Sequence, residues 1–227
     1  MPLQVWELNR PVALRVGYAI FDTRRPTYHA MLVAAESLVH SAAGTAQVPI
    51  CDMAPPLRWG DSPRARHRLS SHSYVAWLEE LSGDDYDRIC AAAESLRARP
   101  PSASGEPGVY WLGTHGVEFA DANDDEAESP PQPAHCSCAS LVEWCYETVG
   151  VDLVAAATLP QFSLEEIRLL FCPTVSPNEV ADHLATWGLD GPGPWPLLLP
   201  AQQMHAFQQP LAALPYHAVP DDHPFTV

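Results

Sequence analysis

Residues 135–150 constrain this chain most, because they read as a buried helix that carries a cysteine on its first turn. Cys138, Leu141, Val142, Cys145 and Val149 recur at helical spacing, Ser137 is placed to cap the N-terminus, and Gly150 is placed to close the C-terminus. Cys138 heads the apolar stripe. The partial positive charge of a helix N-terminus helps lower a thiol's pKa from about 8.5 toward neutrality and raises the thiolate fraction that attacks carbonyls. Cys136 precedes the helix and gains less. The segment alone leaves two readings of Cys138: a candidate nucleophile, or a small core residue like Cys90, Cys145 and Cys172.

At 227 residues the chain suits a single domain that buries a core without disulfides or metals. Its first seventeen residues lack a basic start followed by an apolar run, and no stretch approaches the roughly 20 apolar residues of a membrane span. The sequence therefore predicts a cytoplasmic protein with no membrane span, and leaves open delivery out of the cell without a signal peptide. Six irregularly spaced cysteines read as reduced thiols. A formal charge of −16 opposes binding to a polyanion, which excludes nucleic acid as the expected partner. All twelve basic residues are arginine, and Arg58, Arg64, Arg66 and Arg68 concentrate four of them in one segment. That segment reads as a solvated loop or as a patch for an anion or a protein partner.

Apolar runs at Gly17–Phe21, Tyr28–Ala34 and Leu38–Ser41 predict strands, the first two joined by a turn through Arg24, Arg25 and Pro26. Tyr74–Leu81 and Asp84–Arg97 predict helices, the second opened by Ser82, so that residues 58–104 read as a helical insertion. Val109–Leu112 and Val117–Ala120 predict a hairpin about a turn at Gly113–Gly116. The acidic, proline-rich stretch 121–134 has little to pack and predicts a mobile loop leading into the cysteine helix. Leu164–Phe171, with a Ser163/Glu166 capping box, and Pro177–Trp187, with Ser176 and Glu179 at its start and Gly188 at its end, predict two further helices. Residues 189–227 are expected to wrap the surface.

A nucleophilic Cys138 needs a base, and ten histidines compete for that part. His29 stands in an apolar setting, Tyr28 to Val33, as in a strand buried on both faces. His40 follows Leu38 and Val39 in the next predicted strand. With a two-residue turn at Ala35 and Glu36, His40 lies opposite Met31 and about 7 to 8 Å from His29 on the diagonal, whereas a one-residue slip sends it to the other face. The pair reads either as a base with its orienter or as two hydrogen-bonded core histidines.

The strand Gly17-Tyr18-Ala19-Ile20-Phe21-Asp22, His29 opening the next, His40 one strand later and Cys138-Ala139-Ser140-Leu141-Val142 heading a helix together resemble the circularly permuted branch of the NlpC-like papain-fold hydrolases. That branch includes the lecithin:retinol acyltransferase-like proteins. The match covers residues 15–45 and 105–182, including the helix start at Pro177 and Asn178. It implies an α+β fold, a permuted papain-like domain over 1–227 with a small antiparallel sheet packed on the cysteine helix. It also implies Cys138 as nucleophile, because the family's cysteine precedes an apolar pair by three residues, with His29 as base and His40 as the second polar residue. The chain departs from the family in the turn Ala34–Ser37, in the helical segment 74–99 and in the acidity of the loop before Cys138.

Two rival site readings use other residues. His135, Cys136, Cys138 and Cys145 are zinc-type ligands in a short span, but they form neither a Cys-x-x-Cys pair nor a paired cluster, so no metal and no cofactor is expected. His115, near Glu118, reads as an exposed turn residue or a base from the other side. The expected function is hydrolysis of an amide bond in a peptide, an isopeptide or a cell-wall stem peptide, with Cys138, His29 and His40 as the catalytic residues and the Cys138 N–H holding the oxyanion. Acyl transfer or lipid and ester hydrolysis is the alternative within enzymes. A catalytically silent module that binds a protein partner is the alternative outside them.

Overall fold

The computed structural model describes residues 2–3, 11–39, 47–53, 57–60, 64–99, 108–119 and 133–214. Its first half contains β1 (Val12–Leu14), β2 (Ala19–Asp22), β3 (His29–Val33), β4 (Ser37–Val39), β5 (Gln47–Met53), β6 (Leu57–Arg58), β7 (Arg66–Arg68), β8 (Ser73–Ala76) and α1 (Gly83–Ser95). The second half adds β9 (Gly108–Tyr110), β10 (Glu118–Phe119), β11 (Ala134–Cys136), α2 (Cys138–Glu147), β12 (Gln161–Phe162), α3 (Leu164–Phe171), α4 (Pro177–His183), β13 (Trp195–Pro196) and α5 (Pro200–Ala206). The class is α+β, with helices packed on small, mostly antiparallel sheets. No helix among the described residues is long and apolar enough to cross a membrane.

A six-stranded antiparallel sheet in the order β6-β5-β3-β2-β8, with β7 also on β5, forms the centre. β3 is interior because Ala30, Met31, Leu32 and Val33 are apolar at every position, and all four are buried. Alternation sends Ala30 and Leu32 into a core shared with α1 and α2, and sends Met31 and Val33 into a second core with Ile20, Ile50 and Val75. The helix α2 lies on the first of these faces with Leu141, Cys145 and Tyr146 fully buried, each large apolar side chain contributing about 1.5–3 kcal/mol. Tyr146 Oη adds a hydrogen bond to the Gly17 carbonyl at 3.1 Å.

Several expectations hold. Ser137 caps α2 through Ser140 N, and Gly150 follows with φ of +79°. The capping boxes of α3 and α4 form, and Gly188 stops the turn after α4 with φ of +73°, where a Cβ would meet the Trp111 indole at 1.9 Å. α1 begins at its Ser82/Asp85 capping box.

Others are corrected. Residues 74–76 of the predicted helix 74–81 fall in β8 instead, because register with β2 buries Val75 and Ala76 completely and this pairing outweighs local propensity. Residues 58–104 are therefore not a helical segment alone: they supply β7, β8 and α1, and α1 packs directly on α2. β4 does not return alongside β3. It pairs with β1, and β3 takes β5 as its neighbour instead. The predicted hairpin is opened by β11, which lies between β9 and β10, parallel to the first and antiparallel to the second. Residues 120–132 of the acidic loop lie outside the described residues. The C-terminal segment does more than wrap: α5 and the turn after it place Gln203 and Phe207 in the interior.

Candidate active site

Cys138 is the first residue of α2, held there by two serines. Ser137 Oγ accepts from Ser140 N at 3.0 Å, and Ser140 Oγ donates to the Thr114 carbonyl at 2.8 Å, which ties the helix start to the segment after β9. His29 opens β3 directly after Tyr28, whose φ of +58° turns the chain sharply into the strand. The Cys138 thiol and the His29 imidazole lie within hydrogen-bonding reach.

The far side of the imidazole is held by Asp52. Its Oδ2 stands 2.7 Å from His29 Nε2, and the carboxylate, with no exposed surface, is clasped by Arg58 through Nε at 2.8 Å and through Nη2. A carboxylate in an ion pair can only accept, so Nε2 carries a proton and Nδ1 is left to face the thiol. Continuing the β3–β5 register, with Leu32 opposite Cys51, puts Asp52 opposite Met31. That is the position the sequence assigned to His40. Among the described residues it is Asp52 that contacts this ring nitrogen of His29, and His40 lies outside the described residues. The signal that could have found Asp52 is a lone acid inside the apolar run Val48 to Met53, where a buried carboxylate needs a cationic partner.

Burial disfavours charge on both members of the pair, yet their mutual attraction wins. The His29 imidazolium pulls the Cys138 thiol below its ordinary value, helped by the Ala30 backbone. Against its own burial, His29 is raised to about 10 by the Cys138 charge and the hydrogen bond to Asp52. Both directions favour the thiolate–imidazolium pair over the neutral one. Burial pushes the fully enclosed Cys136 thiol up, as expected of an inert core cysteine.

Cys138 and His29 open onto a cavity of about 780 Å³ between the sheet and the α3–α4 region. Tyr28, Met31, Tyr110, Leu112, Phe171 and Trp187 give it apolar walls. This volume suits one substrate segment of several residues or a bulky acyl group.

The rival sites separate from it. Among the described residues, His135, Cys136, Cys138 and Cys145 do not converge on a common point: His135 stacks on Trp111, and Cys145 is enclosed in the core. His115 is not a free turn residue. Its Nε2 donates to the Val154 carbonyl and its Nδ1 lies 3.4 Å from Glu147, on a different face of α2. His115, Glu143 and Glu147 bring ligand atoms within 4.8 Å of one another, but Glu143 already accepts from Val154 N and from Gln203 Nε2, so the group is knit as a hydrogen-bond network. No family model, curated protein or solved structure matches the chain.

Proposed function

We propose that this protein is a cysteine-dependent hydrolase of amide bonds, built on a permuted papain-like (NlpC-like) domain. The observation that carries the reading is the alignment of Cys138, His29 and Asp52 at the wall of a substrate-sized cavity. In this reading the Cys138 thiolate attacks the carbonyl carbon, and the displaced electron pair becomes an oxyanion beside the Cys138 N–H. Collapse breaks the C–N bond while His29 gives its Nδ1 proton to the leaving amine. Water then attacks the thioester as His29 takes its proton, and breaking of the C–S bond returns the thiolate. A raised imidazole supports amide cleavage in particular, since an amine leaves only when protonated. Transfer to an amine acceptor would use the same thioester. Against the silent-module alternative stands the position of Cys138 in the lining of the cavity, which no segment among the described residues closes off.

The deciding experiment pairs site-resolved iodoacetamide labelling with turnover of p-nitrophenyl acetate. Cys138 should be the fastest-labelled of the six cysteines near pH 7, and Cys138→Ala should abolish ester turnover. Faster labelling at another cysteine, or undiminished turnover in Cys138→Ala, removes the reading.

A further inference from the structure

Four of the twelve arginines, in a chain of net charge −16, line the cavity that Cys138 opens onto. Arg24 and Arg25 come from the turn between β2 and β3, Arg58 from β6 and Arg66 from β7. These are remote parts of the sequence brought to one wall by the sheet. The only carboxylate among the described lining residues is Asp22, and it is engaged by Arg24. Arg58 is engaged by Asp52 behind the wall. Arg25 and Arg66 are exposed to the cavity and make no ion pair among the described residues. His67, also in the lining, stays neutral at physiological pH because burial outweighs its acidic neighbours and holds its imidazole down at about 4.

Two guanidiniums without an ion-pair partner among the described residues, in a cleft of a protein of net charge −16, set up a local positive field that attracts an anion there. We infer that Arg25 and Arg66 bind a carboxylate of the substrate, so that the enzyme acts on an acidic acyl donor such as a peptide bearing an acidic side chain or a free C-terminal carboxylate near the scissile bond. A guanidinium fork matches a carboxylate in two parallel hydrogen bonds and fixes its orientation, which a bare field does not. The apolar walls at Phe171 and Trp187 would take the uncharged remainder. This inference rests on the hydrolase reading for its nucleophile and adds the substrate class.

The test uses two alkylating agents that differ in one group, iodoacetate with a carboxylate and iodoacetamide with a neutral amide. The quantity read is the ratio of their second-order rate constants at Cys138, compared with the same ratio for glutathione. The expected ratio is at least fivefold above that of glutathione, and it should fall at least threefold in the double variant Arg25→Gln/Arg66→Gln, whose replaced side chains are exposed. Added 1 M NaCl, which shortens the screening length to about 3 Å, should reduce it in the same direction. Arg88→Gln, on the exposed face of α1 and outside the cavity, removes the same charge from the protein and should leave the ratio unchanged. A ratio equal to that of glutathione, or one that is the same in the double variant as in the parent, overturns the carboxylate assignment while leaving the nucleophile intact. Failure of both reagents to label Cys138 overturns the hydrolase reading itself.

Discussion

Asp52 reaches His29 across two strands, its Oδ2 2.7 Å from the imidazole Nε2, and the backbone register that places it opposite Met31 sets this contact. In the proposed hydrolase this relationship would make Asp52 a positioning residue, selecting the tautomer that turns Nδ1 toward the thiol and stabilising the imidazolium once formed. Asp52→Ala should reduce ester turnover by roughly 100-fold or more, while Asp52→Asn, which keeps a hydrogen-bonding oxygen but no charge, should retain a larger share. Steady-state kinetics at several pH values separate this from simple unfolding. A positioning role predicts that the alkaline limb of the profile moves down in Asp52→Asn, because the imidazolium has lost its counter-charge; a merely structural role predicts loss of amplitude with the limbs in place.

The helix α2, with its cap at Ser137, was legible because every signal for it lies within fourteen residues. The same holds for α3 and α4, whose capping boxes are local by construction. The position of His29 beside Cys138, where the proposed reading needs a base, was legible too, since an imidazole in a run as apolar as Tyr28 to Val33 has few innocent explanations. Its orienter was not. Deciding whether β3 pairs with the next strand in sequence or with one fifteen residues on depends on which pairing buries more surface, and no local residue encodes that. The segment 74–81 fails for a related reason: Ser73 to Ala76 becomes a strand because β2 has an open edge to fill, and the sequence of eight residues is too short for period to decide between helix and strand.

Alkylation of Cys138 should depend on pH in a way the neighbouring imidazole dictates. The thiol is held below its ordinary value by the His29 charge, so the iodoacetamide rate should reach its plateau at lower pH than that of a free thiol such as glutathione, and fall as acid protonates the thiolate. In His29→Ala the attraction is gone while the burial remains, so the thiol's pKa should rise and the rate at pH 7 should drop by about tenfold or more. Stopped-flow or mass-spectrometric labelling across pH 4–10 reads both. Identical profiles for parent and His29→Ala would break the dyad.

The correction at β8 carries its own test. Tyr86 Oη from α1 accepts a hydrogen bond from Leu78 N at 2.8 Å and donates one to the Leu78 carbonyl at 2.9 Å, fastening the chain just after β8 to the first turns of the helix. Tyr86→Phe leaves both backbone groups buried and unpaired, at a cost of roughly 1–3 kcal/mol. In a chain of this size that corresponds to a Tm lower by several degrees, measured by calorimetry. Were residues 74–81 helical, the amide of Leu78 would already be satisfied and the substitution would be nearly neutral.

Glu143 gives the protein a pH-dependent stability that has nothing to do with catalysis. It is completely enclosed on α2, and burial pushes its carboxyl up to about 7, with the hydrogen bonds from Gln203 and Val154 N and the nearby His115 only partly compensating. An acid whose pKa is higher in the folded state binds its proton more tightly there, so its contribution to stability is fully present below about pH 4.5 and is lost as pH rises through 7. The loss amounts to on the order of 2 to 3 kcal/mol. His115, raised to about 9 because its hydrogen bonds to Glu147 and Val154 outweigh burial, acts in the same direction but only above pH 6.5, whereas buried His67, held at about 4, acts in the opposite direction between 4 and 6.5, so Glu143 is read from the difference between variant and parent in the window from 4.5 to 6.5. Glu143→Gln should shift the pH dependence of Tm across that window toward rising with pH, because it removes the Glu143 contribution and leaves that of His67. The replacement keeps an amide oxygen that can still accept from Val154 N. The same pH dependence of Tm in Glu143→Gln as in the parent between pH 4.5 and 6.5 would show that the carboxyl at 143 is not a group that titrates there.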